Sequence, residues 1–333
     1  MSKTLKHLYS EVLDSSNLFA AYRLARAGKG DRHEVALFDL NLESELLQLQ
    51  YDLEQGVYQR GEYRQRLIYE RKPRVISIAP FRDRVLHHAL MNVLDPHLDK
   101  TMIPDSFACR RGKGVHRAVD RYQYFAKRFA YVMKLDIKKY FASIDHAILR
   151  RLLQRKIADR KVMRLITEII GSYQTQAGKG LPIGNLTSQF FANYYLNGFD
   201  HWVKQSLGVK GYFRYVDDFF VFSNDKSEAW NHLREIEQAL KSLEIELHPN
   251  KTHLCRTSER IDVLGYLVAP DKRWLRNDNG HRFTRRLVKN GRSWRSGKLS
   301  RAKLNCRVRS WIGHAVHGET AGLRRAIFGR TVL

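Results

Sequence analysis

The stretch that decides the fold runs from Arg214 to Ser223, RYVDDFFVFS. Two adjacent carboxylates, Asp217 and Asp218, interrupt a run of aromatic and β-branched residues that has the composition of a buried strand. Upstream, GYF extends the run, so the pattern predicts strand, tight turn and strand, with the aspartates at the turn. A second apolar run, YVMKL, also ends on an acid, Asp136. One aspartate at a strand end is usually a turn former. An Asp-Asp pair at a hairpin tip, with a third aspartate closing another strand, asks instead for a counter-charge. DDFFVF itself contains no Lys or Arg. Divalent metal ions are the natural partner, since Mg²⁺ takes hard oxygen ligands and commonly shares one or two carboxylates with substrate phosphates.

Outward from this hairpin, the spacing predicts helices over DHAILRRLLQRKI and DRKVMRLITEIIGSY. A glycine-containing loop, GKGLPIGN, leads into one long helix over LTSQFFANYYLNGFDHWVKQSL. After the hairpin, SEAWNHLREIEQALKSLEIEL reads as a helix and a strand, and IDVLGYLV as a last strand. Upstream, residues 4–55 read as helical, YRQRLIYERKPRVISIA as strand-like, and FRDRVLHHALMNVLDPHL as a helix closing near Pro96. SFACRRGKGVHRAV is a basic loop running into a helix. A sheet with helices packed on it, of α+β class, follows from this order. No internal repeat or low-complexity linker breaks the 333 residues.

Lys and Arg number 59 against 34 Asp and Glu, a formal charge of +25, which points to a polyanionic partner, nucleic acid first. From Asp271 to Leu333 there are 17 basic residues and three acids, interleaved with Trp274, Phe283, Trp294, Trp311 and Phe328. Such a segment suits a helical domain with an aromatic core and a basic face able to hold phosphates. Three scattered cysteines without a CxxC pair argue against a zinc site or a disulfide framework. The 14 histidines contain no HExxH. With no signal-peptide core and no membrane-length apolar run, the expectation is a soluble, cytoplasmic protein that contacts no membrane.

The YVDD tetrad resembles the palm motif of reverse transcriptases, and the resemblance extends in order over roughly residues 60–270. KPRVISIAPFRDRVLHHAL and SFACRRGKGVHRAV are similar to the two fingers blocks. MKLDIKKYFASIDHAIL is similar to the block with the first catalytic aspartate, and LPIGNLTSQFFANYYLNGFD to the nucleotide-pocket block. HPNKTHL and VLGYLV are similar to the blocks that close the palm. The resemblance implies a right-hand polymerase fold. It comprises a helical extension over 1–60, interleaved fingers and palm over 61–268, and a short basic helical thumb over 269–333. The implied enzyme is an RNA-directed DNA polymerase using two Mg²⁺ ions, with Mn²⁺ as an alternative, and deoxynucleoside triphosphates.

Residue by residue, it implies catalytic and metal-binding roles for Asp136, Asp217 and Asp218, with the carbonyl of Ile137 as a further ligand. Phe141 matches the aromatic gate that excludes a ribose 2′-hydroxyl; by pattern alone it is equally a core residue. Arg74 matches the fingers arginine on the triphosphate, with Lys72 beside it; Arg84 is either a contact or structural. Lys251 matches a palm lysine near primer or triphosphate, or is a solvated surface lysine. Arg285, Arg286, Lys289, Arg292 and Arg295 are the thumb candidates for gripping the template–primer backbone.

The pocket block departs from the common bacterial pattern. Ile183 stands where a glutamine precedes the glycine Gly184, and Gln189 where a proline follows the serine. IGNLTSQ, together with SWIGHA at 310–315, resembles the reverse transcriptases of diversity-generating retroelements. That resemblance implies cDNA synthesis from a template-repeat RNA with misincorporation opposite adenines. It also implies an accessory variability protein, a small basic oligomer, as partner. The roughly 65 residues after VLGYLV suit a short thumb and leave no expectation of a maturase region, endonuclease or RNase H site. Two alternatives stay open: another bacterial reverse transcriptase, defence-associated or derived from group II introns, and a catalytically silent RNA-binding scaffold.

Overall fold

The computed structural model describes residues 4–69 and 73–330. Four helices, α1 (Tyr9–Leu13), α2 (Ser15–Arg26), α3 (His33–Leu40) and α4 (Leu42–Gln55), precede a hairpin of β1 (Arg64–Tyr69) and β2 (Pro73–Ile78). Helices α5 (Phe81–Leu98) and α6 (Val115–Ala126) lead to β3 (Tyr131–Asp136). Then come α7 (Tyr140–Ser143), α8 (His146–Gln154), α9 (Arg160–Gly171), α10 (Leu186–Tyr195) and α11 (Asn197–Gln205). The second hairpin, β4 (Gly211–Tyr215) and β5 (Asp218–Ser223), is followed by α12 (Lys226–Lys241), β6 (His253–Arg256), β7 (Ile261–Val263), β8 (Tyr266–Val268) and β9 (Arg273–Leu275). Helices α13 (Asn277–Arg295), α14 (Arg301–Ala315) and α15 (Ala321–Arg330) complete this α+β chain.

Two compact units are each assembled from three stretches of chain. The first comprises Met1–Arg110, Ile137–Gly208 and Arg234–His248; the second comprises Arg111–Asp136, Val209–Leu233 and Pro249–Leu333.

In the first unit α5 is the central element. Val85, Leu86, Ala89, Leu90 and Leu94 are all fully buried. Phe81 at its start packs edge-on to Phe38, ring centroids 5.0 Å apart, and Tyr22 stacks on Phe38. The Asn17 side-chain amide donates to the Ala89 carbonyl at 3.0 Å, tying α2 to α5. Helix starts are set by side chains: Asp14, Asp145 and Asp159 accept backbone N–H groups of the first turns of α2, α8 and α9. The long helix expected after the pocket loop is two helices, interrupted at Leu196, where the Asn197 amide turns to Thr101 Oγ1 at 3.2 Å.

The second unit is built on an antiparallel sheet of order β4-β5-β3-β6. Alternation places Phe213, Phe220 and Phe222 on one face, where Tyr122 of α6 packs edge-on against all three. IDVLGYLV, expected as one strand, is the hairpin β7-β8, and β9 extends it within the segment expected to be helical. Leu264 and Gly265 take φ of 50° and 96°, so the chain reverses there without a conspicuous turn dipeptide. In the terminal helices Phe283 and Trp311 stack in parallel at 3.9 Å, with Phe328 edge-on to both. These aromatics form a core rather than a stacking platform.

One expected strand does not form. LEIEL, in the first unit, is reduced to a single bridge between Leu247 and Ile137. Glu244, the second residue of this stretch, at φ 52°, breaks the extended path.

Candidate active site

The two-residue turn Val216-Asp217 joins β4 to β5, with Tyr215 opposite Asp218. Val216 sits at φ 55°, a conformation that costs a β-branched residue about 1–3 kcal/mol and is kept only where its surroundings impose it. The strands around it are entirely buried from Gly211 to Arg214 and from Phe219 to Ser223, so the hairpin is held by packing. Its tip is only partly covered.

Antiparallel register sets Asp136, the last residue of β3, directly opposite Asp218, the first of β5. Facing like charges on neighbouring strands repel. Burial, against the pull of Lys134 and Lys251 and with the help of Asp217 and Asp136, pushes the Asp218 carboxyl up to about 7. Lys251, from a 3₁₀ turn at Pro249–Lys251, donates to both oxygens of Asp136 at 2.7 and 2.8 Å. DDFFVF itself carries no basic residue, and the counter-charge on Asp136 comes from 115 positions along the chain. Lys134, on the same face of β3, donates to the Asp262 carbonyl at 2.8 Å and fastens β3 to β7.

Three carboxylates meet two lysines, one of them anchored elsewhere. The hard, anionic oxygens of these carboxylates suit a divalent cation. Among the described residues no group of three His, Cys, Asp or Glu side chains is already drawn together as a metal cage.

The expected nucleotide-pocket residues lie in the first unit. The Ile183 carbonyl accepts from Ser77 N at 3.0 Å, fastening the pocket loop to β2. Gly184, at φ 118°, lies so close to that strand that a Cβ would come within 2.5 Å of Ile76 Cγ2, so only glycine fits. The Ile183 side chain is 37% exposed. Gln189 is exposed, its Oε1 3.5 Å from Cys109 Sγ. Phe141 is half-buried, and its carbonyl accepts from Leu181 N at 2.7 Å. Preceding it, Tyr140 is anchored by its hydroxyl on the Ala192 carbonyl. Arg74 projects from the exposed end of β2 opposite Ile68, while Lys72 lies outside the described residues. Ile137, the residue after Asp136, is buried. Arg84 pairs with Glu34 at 2.6 Å, which makes it structural. In the second unit Arg285, Arg286, Lys289, Arg292 and Arg295 are all exposed along α13, whose opposite side buries Phe283, Leu287 and Gly291.

Sequence reasoning passed over Arg214. It is fully buried, and its Nη1 donates to the Val216 carbonyl at 3.0 Å. The signal was there: an arginine inside an apolar strand, two residues before the turn.

The model of the family "Reverse transcriptase (RNA-dependent DNA polymerase)" matches residues 65–268. Protein YkfC of Escherichia coli is 23% identical over 317 residues, covering 80% of this chain and 83% of that protein. The group II intron-encoded protein LtrA of Lactococcus lactis is 24% identical over 217 residues, covering 62% of this chain and 36% of LtrA. Among solved structures, apo telomerase from Candida tropicalis, truncated from its C-terminal domain, superposes with a TM-score of 0.51 at 13% identity. That superposition covers 65% of this chain and 55% of the telomerase chain. No helix among the described residues is long and apolar enough to cross a membrane. The antiparallel sheet carrying Asp136 and Asp218 is thus the palm of a right-hand polymerase fold, and this chain belongs to the reverse transcriptase family, the RNA-directed DNA polymerases.

Proposed function

We propose that this chain copies a template-repeat RNA into cDNA with frequent errors opposite adenines, as the polymerase of a diversity-generating retroelement. The observation that carries the finer reading is Ile183. Its backbone is fixed on β2, while its exposed side chain presents a purely apolar surface at a position where related bacterial enzymes carry glutamine. Isoleucine has no donor or acceptor to offer the nucleotide or its surroundings. Losing one positioning contact of ~1 kcal/mol narrows the margin between correct and incorrect pairs several-fold.

In this reading Asp136 and Asp217, with Asp218 and the Ile137 carbonyl, hold two divalent ions, Mg²⁺ or Mn²⁺. When bound, such ions activate a 3′-hydroxyl and stabilise the leaving pyrophosphate. Arg74, with Lys72, forks onto the incoming triphosphate. Phe141 excludes the ribose 2′-hydroxyl, Gly184 and Gln189 line the pocket, and Lys251 is available to anionic oxygens. The α13 cations grip the backbone of template RNA and cDNA. The accessory variability protein, a small basic oligomer, is the proposed protein partner.

The test is synthesis on a primed RNA template with four deoxynucleotides and Mg²⁺, followed by sequencing of the cDNA. Errors concentrated at template adenines, reduced several-fold by Ile183→Gln, are the expected result. Even or rare errors would move the enzyme to the intron-derived or defence-associated lineages. Silence that persists with the accessory protein and native template would leave the scaffold reading.

A further inference from the structure

Among the described residues Val216 is the one β-branched residue with a positive φ, and it immediately precedes Asp217. Two positions earlier, Arg214 is fully buried. The Arg214 Nη1 donates to the Val216 carbonyl, and that carbonyl belongs to the peptide bond that leads into Asp217. Fixing its plane fixes the direction in which Asp217 leaves the turn. Strand alternation puts Arg214 on the opposite face from Tyr215 and its partner Asp218. The Nη1 contact is made to the backbone. A guanidinium keeps its charge at every working pH, and its planar fork holds an acceptor in one geometry, which a lysine cannot do.

We propose that Arg214 is a positioning residue that clamps the strained Val216 peptide and so presents Asp217 beside Asp218 in a metal-binding geometry. This rests on the reading of Asp136, Asp217 and Asp218 as metal ligands.

The experiment measures Mn²⁺ binding to the full chain by electron paramagnetic resonance, without substrate, in wild type and in Asp217→Ala, Arg214→Lys and Arg214→Lys/Val216→Gly variants. Expected are a loss of at least ~10-fold in affinity for Asp217→Ala and for Arg214→Lys. Recovery of at least ~3-fold is expected in the double variant, because glycine adopts the turn without a clamp. A merely structural arginine would not be rescued by relieving one dihedral. Arg214→Lys binding within twofold of wild type, or no recovery in the double variant, overturns the proposal. Wild-type affinity in Asp217→Ala would instead overturn the metal reading on which it rests. Should Arg214→Lys fail to fold, the wild type decides: a scalar coupling between Arg214 Nη1 and the Val216 carbonyl carbon is expected, and its absence overturns the clamp.

Discussion

Lys251 is the residue on which the electrostatics of the site turn. Its ammonium satisfies both oxygens of Asp136, yet it is 44% exposed while Asp136 is 14% exposed. Such a pair is screened and contributes about 1 kcal/mol or less. Lys251→Met leaves three carboxylates with less compensation. The variant is expected to melt about 2 °C lower than wild type in EDTA, and to regain more than the wild type does when Mg²⁺ is added. Scanning fluorimetry in both conditions checks it. Equal melting in EDTA would mean that the ion pair adds nothing to stability in solution. The same residue marks a limit of sequence reading: a block resemblance singled out Lys251, but no local pattern could join it to an aspartate 115 positions away.

At the scale of elements, α5 carries a pH dependence in its packing. His87 is buried in the middle of this helix, and burial, with some help from neighbouring His88, lowers its pKa to about 4. In the unfolded chain the same imidazole takes a proton near 6.5. Between these values the unfolded state binds more protons, so stability is lost as pH falls from about 6.5 toward 4 and is fully present above. His87→Leu is expected to flatten the decline in urea midpoint between pH 7 and 5; an unchanged slope would assign the acid sensitivity elsewhere. Elements of this kind were legible because their periodicity is strong: the hairpin around YVDD, the helices α8 and α9, and the strand ending at Asp136 all form as their patterns predict. Elements shaped by backbone conformation were not. Leu264 carries a positive φ without being a turn residue by type, so β7 and β8 read as one strand. LEIEL alternates like a strand but pairs only at Leu247. The role of Arg214 was equally hidden, since a strand pattern says nothing about which carbonyl a buried guanidinium finds.

For the molecule as a whole, charge is the property that reaches furthest. The +25 surplus makes any association with nucleic acid salt-dependent. Arg285, Lys289 and Arg292 lie at i, i+4 and i+7 on α13, exposed and on the side away from its core residues. Changing all three to Gln is expected to weaken binding of an RNA–DNA duplex uniformly across sequences. The slope of log K against log salt should fall by about 2–3. Filter binding over a salt series checks this; an unchanged slope would remove these residues from the interface.

The order of strands in the palm sheet carries a consequence for how the chain is made. Strand β3 pairs with β5 on one side and β6 on the other, through registers that begin at Asp136↔Asp218 and Tyr131↔Arg256. During translation the apolar ribbon YVMKL must therefore wait for about 80 further residues before its first partner exists, several seconds at ~5–20 residues per second. Both of its edges are open templates for a foreign strand in that interval. Slowing the ribosome before the second hairpin is therefore expected to raise the aggregated fraction, read by sedimentation of the translated chain, more than slowing it after β6.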